Sequence, residues 1–225
     1  MGAESQGGRF LDAEAETAVR QRIASLEHTT GVEIVAAVIA RADSYPEIPW
    51  KAFALGASLA LLAAVAAALT APGWEAAEAI VETAVAALAT GGAAALATVW
   101  VKPLARLFLT RARRQAESLQ YAQAMFLDAG LHRTPRRDGI LLLVSLFEHE
   151  VVVLADHGVR DRLVPAALEA TVSAATTALK RGRIGDALLD GLARLEKTLI
   201  ETGFRAQPGE RDEVDQTLIQ ERGPS

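Results

Sequence analysis

Asp138 and Asp156 are the side chains whose type and spacing best suit chemistry at a defined place. Asp138 stands in "RRDGILLLVSLF", just before an apolar run, and Asp156 in "EVVVLADHGV", just after the next one. Brought to one end of a sheet, they could give two oxygens to a hard divalent cation such as calcium or magnesium, with backbone carbonyls or water completing its shell. A plainer role is equally open to them: Asp-Gly is turn chemistry, and an Asp after a strand caps a loop. Asp43, Glu47, Glu148 and His149 form a second acidic group. His149 and His157 are the histidines near strand ends, and a solvated polar role suits them as well as that of a base. The chain has no Cys, so disulfides, thiolate metal sites and Cys nucleophiles are excluded. It also has no HExxH, no GxSxG with partners and no Gly-rich phosphate loop. Glycines in "GRIGDALLDG" (182–191) could present backbone N–H groups to an anion, and a turn between two helices explains them equally.

The elements that must position these residues follow from periodicity. "FLDAEAETAVRQRIASLEHTT" places Leu11, Ala15, Val19, Ile23 and Leu26 on one helical face, with Asp12, Glu14 and Glu16 favouring its N-terminus and Gly31 ending it. "VEIVAAVIA" (32–40) is then a strand. Its partners, 139–146 and 150–156, are joined by a tight polar turn at 147–149 and form an antiparallel hairpin. Helices are expected over 104–129, 159–180 and 184–202, with Pro103 bending the chain at the start of the first. The tail from Ala206 reads as disordered, given Pro208, Gly209 and its many charges.

Between the first strand and the rest lie two uncharged runs, Ala52 to Trp74 and Thr83 to Val101, separated by Glu75, Glu78 and Glu82. Each is long enough to span a bilayer, and together they make a hairpin. The rival is an Ala-rich helical pair inside a soluble domain. Tryptophan placement favours the membrane: Trp50 and Trp74 flank the first run and Trp100 closes the second. Trp50 and Trp74 would stand about 36 Å apart along a helix, close to the spacing of two interfacial belts. Gly56, Ala60 and Ala64, and Gly91 with Ala95, recur at four-residue spacing and allow close helix approach in lipid.

Lys51 precedes the first run, and Lys102, Arg106, Arg111, Arg113 and Arg114 follow the second, while the connecting turn is acidic. The positive-inside rule then puts both flanking segments on the cytoplasmic side of the inner (plasma) membrane. The absence of a basic n-region with an apolar h-region at the start agrees with that orientation. Arg111, Arg113, Arg114, Arg133, Arg136 and Arg137 are candidates to face anionic headgroups, though the first three equally set topology. A net charge of −5 supplies no field for nucleic acid.

Because two spans return the chain to its starting side, 1–49 and 103–205 are expected to fold together around the hairpin 50–102, with 206–225 as a disordered tail. A first strand running toward the membrane makes the second parallel to it and the third antiparallel to the second. The expected fold is therefore α/β, a mixed β-sheet flanked by helices and interrupted by a transmembrane α-helical hairpin. In it Asp138 and Asp156 share the membrane-distal end, and Asp43, Glu47, Glu148 and His149 the proximal one.

At this point "TTGVEIVAAV", "RRDGILLLVSLFEHEVVVLADHGV" and "LKRGRIGDALLDGLARL" together resemble the TPM domain family, in particular its bacterial membrane branch with a pair of spans after the first strand. The resemblance covers nearly all of 10–203. It implies an α/β sandwich. Members are reported to bind divalent metals, to act as acid phosphatases, or to assist assembly or repair of membrane complexes. It carries over Asp138 with Gly139 before the second strand, and Asp156 with Gly158 after the third, as candidate metal-site positions. The helix after Val164, where the family pattern has a Trp, reads "ALEATVSAATTAL" here, so any role of that Trp is absent. The expected function is a binding or assembly module at the membrane face, with the bilayer and a membrane protein complex as partners. The alternative is a weak divalent-metal-dependent acid phosphatase.

Overall fold

The computed structural model describes residues 8–70, 76–206 and 217–224. In chain order its elements are α1 (Ala13–Thr30), β1 (Ile34–Ile39), α2 (Glu47–Thr70), α3 (Ala76–Trp100), α4 (Lys102–Leu107), α5 (Arg111–Asp128), β2 (Ile140–Ser145), β3 (Glu150–Ala155), α6 (His157–Arg160), α7 (Pro165–Leu179), α8 (Ile184–Glu201) and β4 (Leu218–Glu221). They form two compact units, one of 1–43 with 114–225 and one of 44–113. The first unit is thus assembled from two distant stretches of chain.

That first unit is built on a mixed sheet of order β3-β2-β1-β4. β1 runs parallel to β2 with Ile34 opposite Ile140, and β2 runs antiparallel to β3 with Ile140 opposite Ala155. Every residue of β1 and β2 is buried, because helices cover both faces. This is why the two strands read as continuous apolar runs and not as alternating ones. Ile34, Ala36, Val38, Ile140, Leu142 and Val144 form one core with Val19, Ile23 and Leu26 of α1 and Leu188, Leu192 and Leu195 of α8. The alternate residues Val35, Ala37, Ile39, Leu141 and Leu143 form another with Ala122 and Met125 of α5. The period of two along each strand therefore divides its side chains between two helical layers. α1 begins at Asp12, whose carboxylate accepts from the Ala15 N–H at 2.7 Å, and it ends at Gly31 in the left-handed region.

Three expectations are corrected. The helix expected over 104–129 is two, α4 and α5, because Phe108–Thr110 interrupt it and the Thr110 hydroxyl accepts from the Arg113 N–H at 3.3 Å. The helix expected over 159–180 is also broken: Pro165 opens α7 and keeps Val164 extended, at ψ 133°. The tail expected to be disordered contains β4, which pairs in parallel with β1, Ala36 opposite Leu218 and Ile39 opposite Glu221. Pro208 and Gly209 lie outside the described residues.

In the second unit α2 and α3 pack as a hairpin, and both are long and apolar enough to cross a membrane. Small residues make their contact. A Cβ on Gly56 would meet the Thr90 carbonyl at 2.9 Å and the Ala94 methyl at 3.0 Å, and one on Gly91 would meet Phe53 at 2.9 Å. Ala52, Gly56 and Ala87 are buried, while Leu55, Leu59, Leu62, Val65, Leu69, Val85, Leu88 and Leu96 are exposed. The leucines of the hairpin are thus exposed, while the closest helix contact is made by small residues.

Candidate functional site

Antiparallel pairing of β2 with β3 puts the entry to one strand beside the exit from the other, so Asp138 and Asp156 share one end of the sheet. The Asp156 N–H donates to the Gly139 carbonyl at 2.9 Å, and the Asp138 N–H to the buried Thr134 hydroxyl at 3.0 Å. Both carboxylates are buried, and each faces an arginine from the segment before β2. Arg136 Nε lies 2.8 Å from Asp138 Oδ2, and Arg137 Nε lies 3.1 Å from Asp156 Oδ2. Asp156 Oδ1 accepts from the His157 N–H at 2.7 Å and caps the single turn of α6.

Each guanidinium also holds a backbone carbonyl. Arg136 donates to Gly31, the cap of α1, and Arg137 donates to His132 at 2.6 Å. Arg137 has φ +55°, a left-handed conformation that a non-glycine residue keeps only when its surroundings fix it. Its N–H donates to Thr134 and its carbonyl accepts from Gly158, at 3.0 and 2.8 Å. Close approach also explains the two glycines: a Cβ on Gly158 would fall 2.3 Å from the Arg136 carbonyl, and one on Gly139 2.5 Å from that of Leu131.

These residues do not fit a divalent cation. A hard cation takes six to eight oxygens and is held by net negative charge. Here two carboxylates face two guanidiniums, and among the described residues no group of three or more His, Asp or Glu is placed to hold a metal. Asp156 Oδ2 is buried without a hydrogen bond, but the positive Arg137 stands beside it. Arg136 and Arg137, expected among the headgroup candidates, are engaged with these acids instead.

Of the second acidic group, Asp43, Glu148 and His149 belong to the sheet unit and Glu47 to the helical hairpin unit. Glu148 is fully buried: Oε1 accepts from the Ala42 N–H at 2.9 Å and Oε2 from the Ser145 hydroxyl. It ties the exit of β1 to the β2–β3 turn, where His149 is left-handed at φ +53°. Glu47 lies in the helical hairpin unit, 3.8 Å from Arg113, and Arg114 lies 3.8 Å from Glu150 in the sheet unit. His157 contacts Arg160, Nδ1 to Nη2 at 2.6 Å. In the 182–191 stretch, Gly182 is left-handed at φ +74°, and Gly191 lets α8 approach the sheet, since its Cβ would meet Leu142 at 3.1 Å. A Cβ on Gly185 would meet the Ala15 methyl at 3.0 Å, so turn and packing account for all three glycines.

Among the topology residues, Lys51, Lys102 and Arg111 are exposed and Arg106 is half-buried. Trp50 is 74% and Trp100 83% exposed, at the start of α2 and the end of α3. Trp74 lies outside the described residues.

One feature escapes sequence reading. A cavity of about 280 Å³ opens between α5 and β4, floored by Met125 and Ile219 and rimmed by Tyr121, Asp128 and Glu221. The Tyr121 hydroxyl donates to Glu221 Oε2 at 3.0 Å. Burial, and then the adjoining Glu221, push the Tyr121 phenol well above its ordinary value. The cavity exists only because β4 returns to the sheet, and the charge-rich residues before that strand hide it.

A mixed sheet with helices on both faces, interrupted after its first strand by an apolar helical hairpin, defines an α/β sandwich protein with a two-helix insertion. The family model described as the TPM domain matches residues 75–198, and the chain belongs to that family. The fold is similar to the NMR structure of BA42 protein from the psychrophilic bacterium Bizionia argentinensis, with 16% identity, a TM-score of 0.55, and coverage of 96% of this chain and 97% of that one. A comparison with curated proteins finds no match.

Proposed function

We propose that the chain is an integral inner-membrane protein whose TPM domain is a binding or assembly module at the cytoplasmic face, both termini lying on that side. The observation that carries this reading is the inverted packing of the α2–α3 hairpin. Large apolar side chains such as Leu59, Leu62 and Leu69 are exposed while Gly56 and Ala52 are buried. In water that arrangement leaves the driving force for folding unused, whereas in lipid it is the expected one, since tails solvate leucine and small residues let helices meet. Exposed Trp50 and Trp100 suit the interface, and Lys51, Lys102, Arg106, Arg111, Arg113 and Arg114 suit its cytoplasmic side. The partner expected for the domain is a membrane protein complex.

The absence of native Cys makes the topology directly testable. A Cys at the exposed Glu169 of α7 is expected to be shielded from an impermeant thiol reagent in intact cells, and one at Thr70 to be labelled. Labelling at Glu169 overturns the orientation. Against a phosphatase reading, Asp138 and Asp156 are engaged by arginines and backbone, so their role is to hold the strand ends together. Detergent-purified protein is expected to hydrolyse a phosphomonoester no faster than its Asp138→Ala variant, with or without divalent cations. Metal-dependent turnover that the variant loses would make this an enzyme.

A further inference from the structure

We infer that Arg136 and Arg137 are the resident cations of the Asp138–Asp156 strand junction, so that this TPM domain closes the junction by guanidinium and takes no divalent metal there. The inference is independent of the membrane reading. It rests on the donor set that each arginine completes. Arg136 bridges the Asp138 carboxylate and the Gly31 carbonyl, and Arg137 bridges the Asp156 carboxylate and the His132 carbonyl. Carboxylate plus carbonyl is the oxygen set that a hard cation would collect. Here two fixed positive groups already occupy it, and they come from adjacent positions in the chain.

The junction is also built to keep them in place. Arg137 holds a left-handed backbone, anchored through Thr134 on one side and Gly158 on the other. Gly158 must lack a side chain for the α6 turn to seat against the Arg136 and Arg137 carbonyls. The carboxylates are buried and the arginine side chains 39% and 51% exposed, so the acids depend on the arginines more than the arginines on the acids. Removing the guanidiniums would leave two buried charges uncompensated, which is the costly way to break such a pair. It would also free the oxygens to collect a metal.

The test is thermal unfolding of the full chain in detergent, with chelator or with calcium or magnesium at about 10 mM, enough to fill a site with a Kd on the order of 1 mM. The wild-type transition is expected not to move. Arg137→Gly relieves the left-handed backbone while removing the charge, so a purely conformational role predicts a transition as high as wild type or higher. The inference predicts a lower one that calcium partly restores. A wild-type transition that calcium raises, with the rise abolished by Asp138→Asn, overturns it, and so does an Arg137→Gly protein that melts no lower than wild type. Equilibrium dialysis of the wild-type chain with calcium serves if the variants fail to fold. Uptake of one ion per wild-type chain overturns the inference, and no uptake supports it.

Discussion

The two units solve the same packing problem with opposite residues. In the sheet unit the large side chains Ile23, Leu26, Leu142, Leu188 and Leu195 are fully buried, and buried acids such as Asp138, Glu148 and Asp156 are each engaged by a partner. In the α2–α3 hairpin small residues such as Ala52, Gly56 and Ala87 are buried, with Ile48 near the start of α2, and the leucines are exposed. Both stretches are apolar, so composition alone does not separate them. Where large and small residues sit does separate them. A core in water gains by removing large apolar area from solvent, whereas helices in lipid gain by close backbone approach. The hairpin follows the second rule within a chain whose remainder follows the first.

The largest effect that could break this comparison comes from matched leucines. Leu142 is fully buried in the sheet, and Leu142→Ala is expected to cost about 2–5 kcal/mol, read by denaturant unfolding of the sheet unit. Leu62 is 66% exposed on α2, and on a water-facing helix Leu62→Arg would be nearly neutral. In a bilayer the same change opposes insertion by about 2.5–3.5 kcal/mol. The expected result is a fall in the membrane-inserted fraction, measured by carbonate extraction. An undiminished inserted fraction would mean that the outward leucines do not face lipid.

Paired glycines sharpen the comparison at smaller scale. Gly56→Ala pushes a methyl against the Thr90 carbonyl and the Ala94 methyl, whereas Gly92→Ala meets nothing within 4 Å. Overpacking at the first site is expected to cost about 1–3 kcal/mol. The second is expected to stabilise the helix by up to about 1 kcal/mol, the helix-propensity difference between Gly and Ala. Both are readable by hairpin unfolding in detergent. Equal effects would mean that the small residues of α2 and α3 do not set the contact.

How much of this was legible in the sequence depends on the kind of signal. β1, β2 and β3 stand out because strands buried on both faces are uninterrupted apolar runs, and strand directions followed from the expectation that two spans return the chain to its starting side. The shared end of Asp138 and Asp156 came from that same topology. β4 stayed hidden because four residues, "LIQE", with only Leu218 buried, carry almost no pattern of their own and gain their order from pairing with β1. The breaks before α5 and α7 were missed because helical periodicity continues across Thr110 and Val164, while the cap and the Pro165 restriction act on single residues. The engagement of Asp138 and Asp156 was out of reach for a different reason. It depends on Arg137 adopting a left-handed backbone, which no residue type at that position announces.

The smallest effect tests the least legible element, and it does so through pH. Tyr121 on α5 donates to Glu221 of β4, and a hydrogen bond to a charged acceptor contributes about 1.5–3 kcal/mol where burial shields it. Tyr121 is only half-buried, so a value below that range, about 1 kcal/mol, is expected for Tyr121→Phe at neutral pH. The folded phenol titrates above its ordinary value of about 10, so the folded chain holds that proton where the unfolded chain has released it. The stabilisation is therefore complete below about pH 10 and declines as pH rises through the raised value. Unfolding curves of wild type and Tyr121→Phe should stand apart at about pH 8 and converge above about pH 10. Parallel curves across that range would mean that Glu221 does not hold the phenol. The docking of β4 beside α5 would then lose its polar anchor and rest on Leu218 and the strand pairing alone.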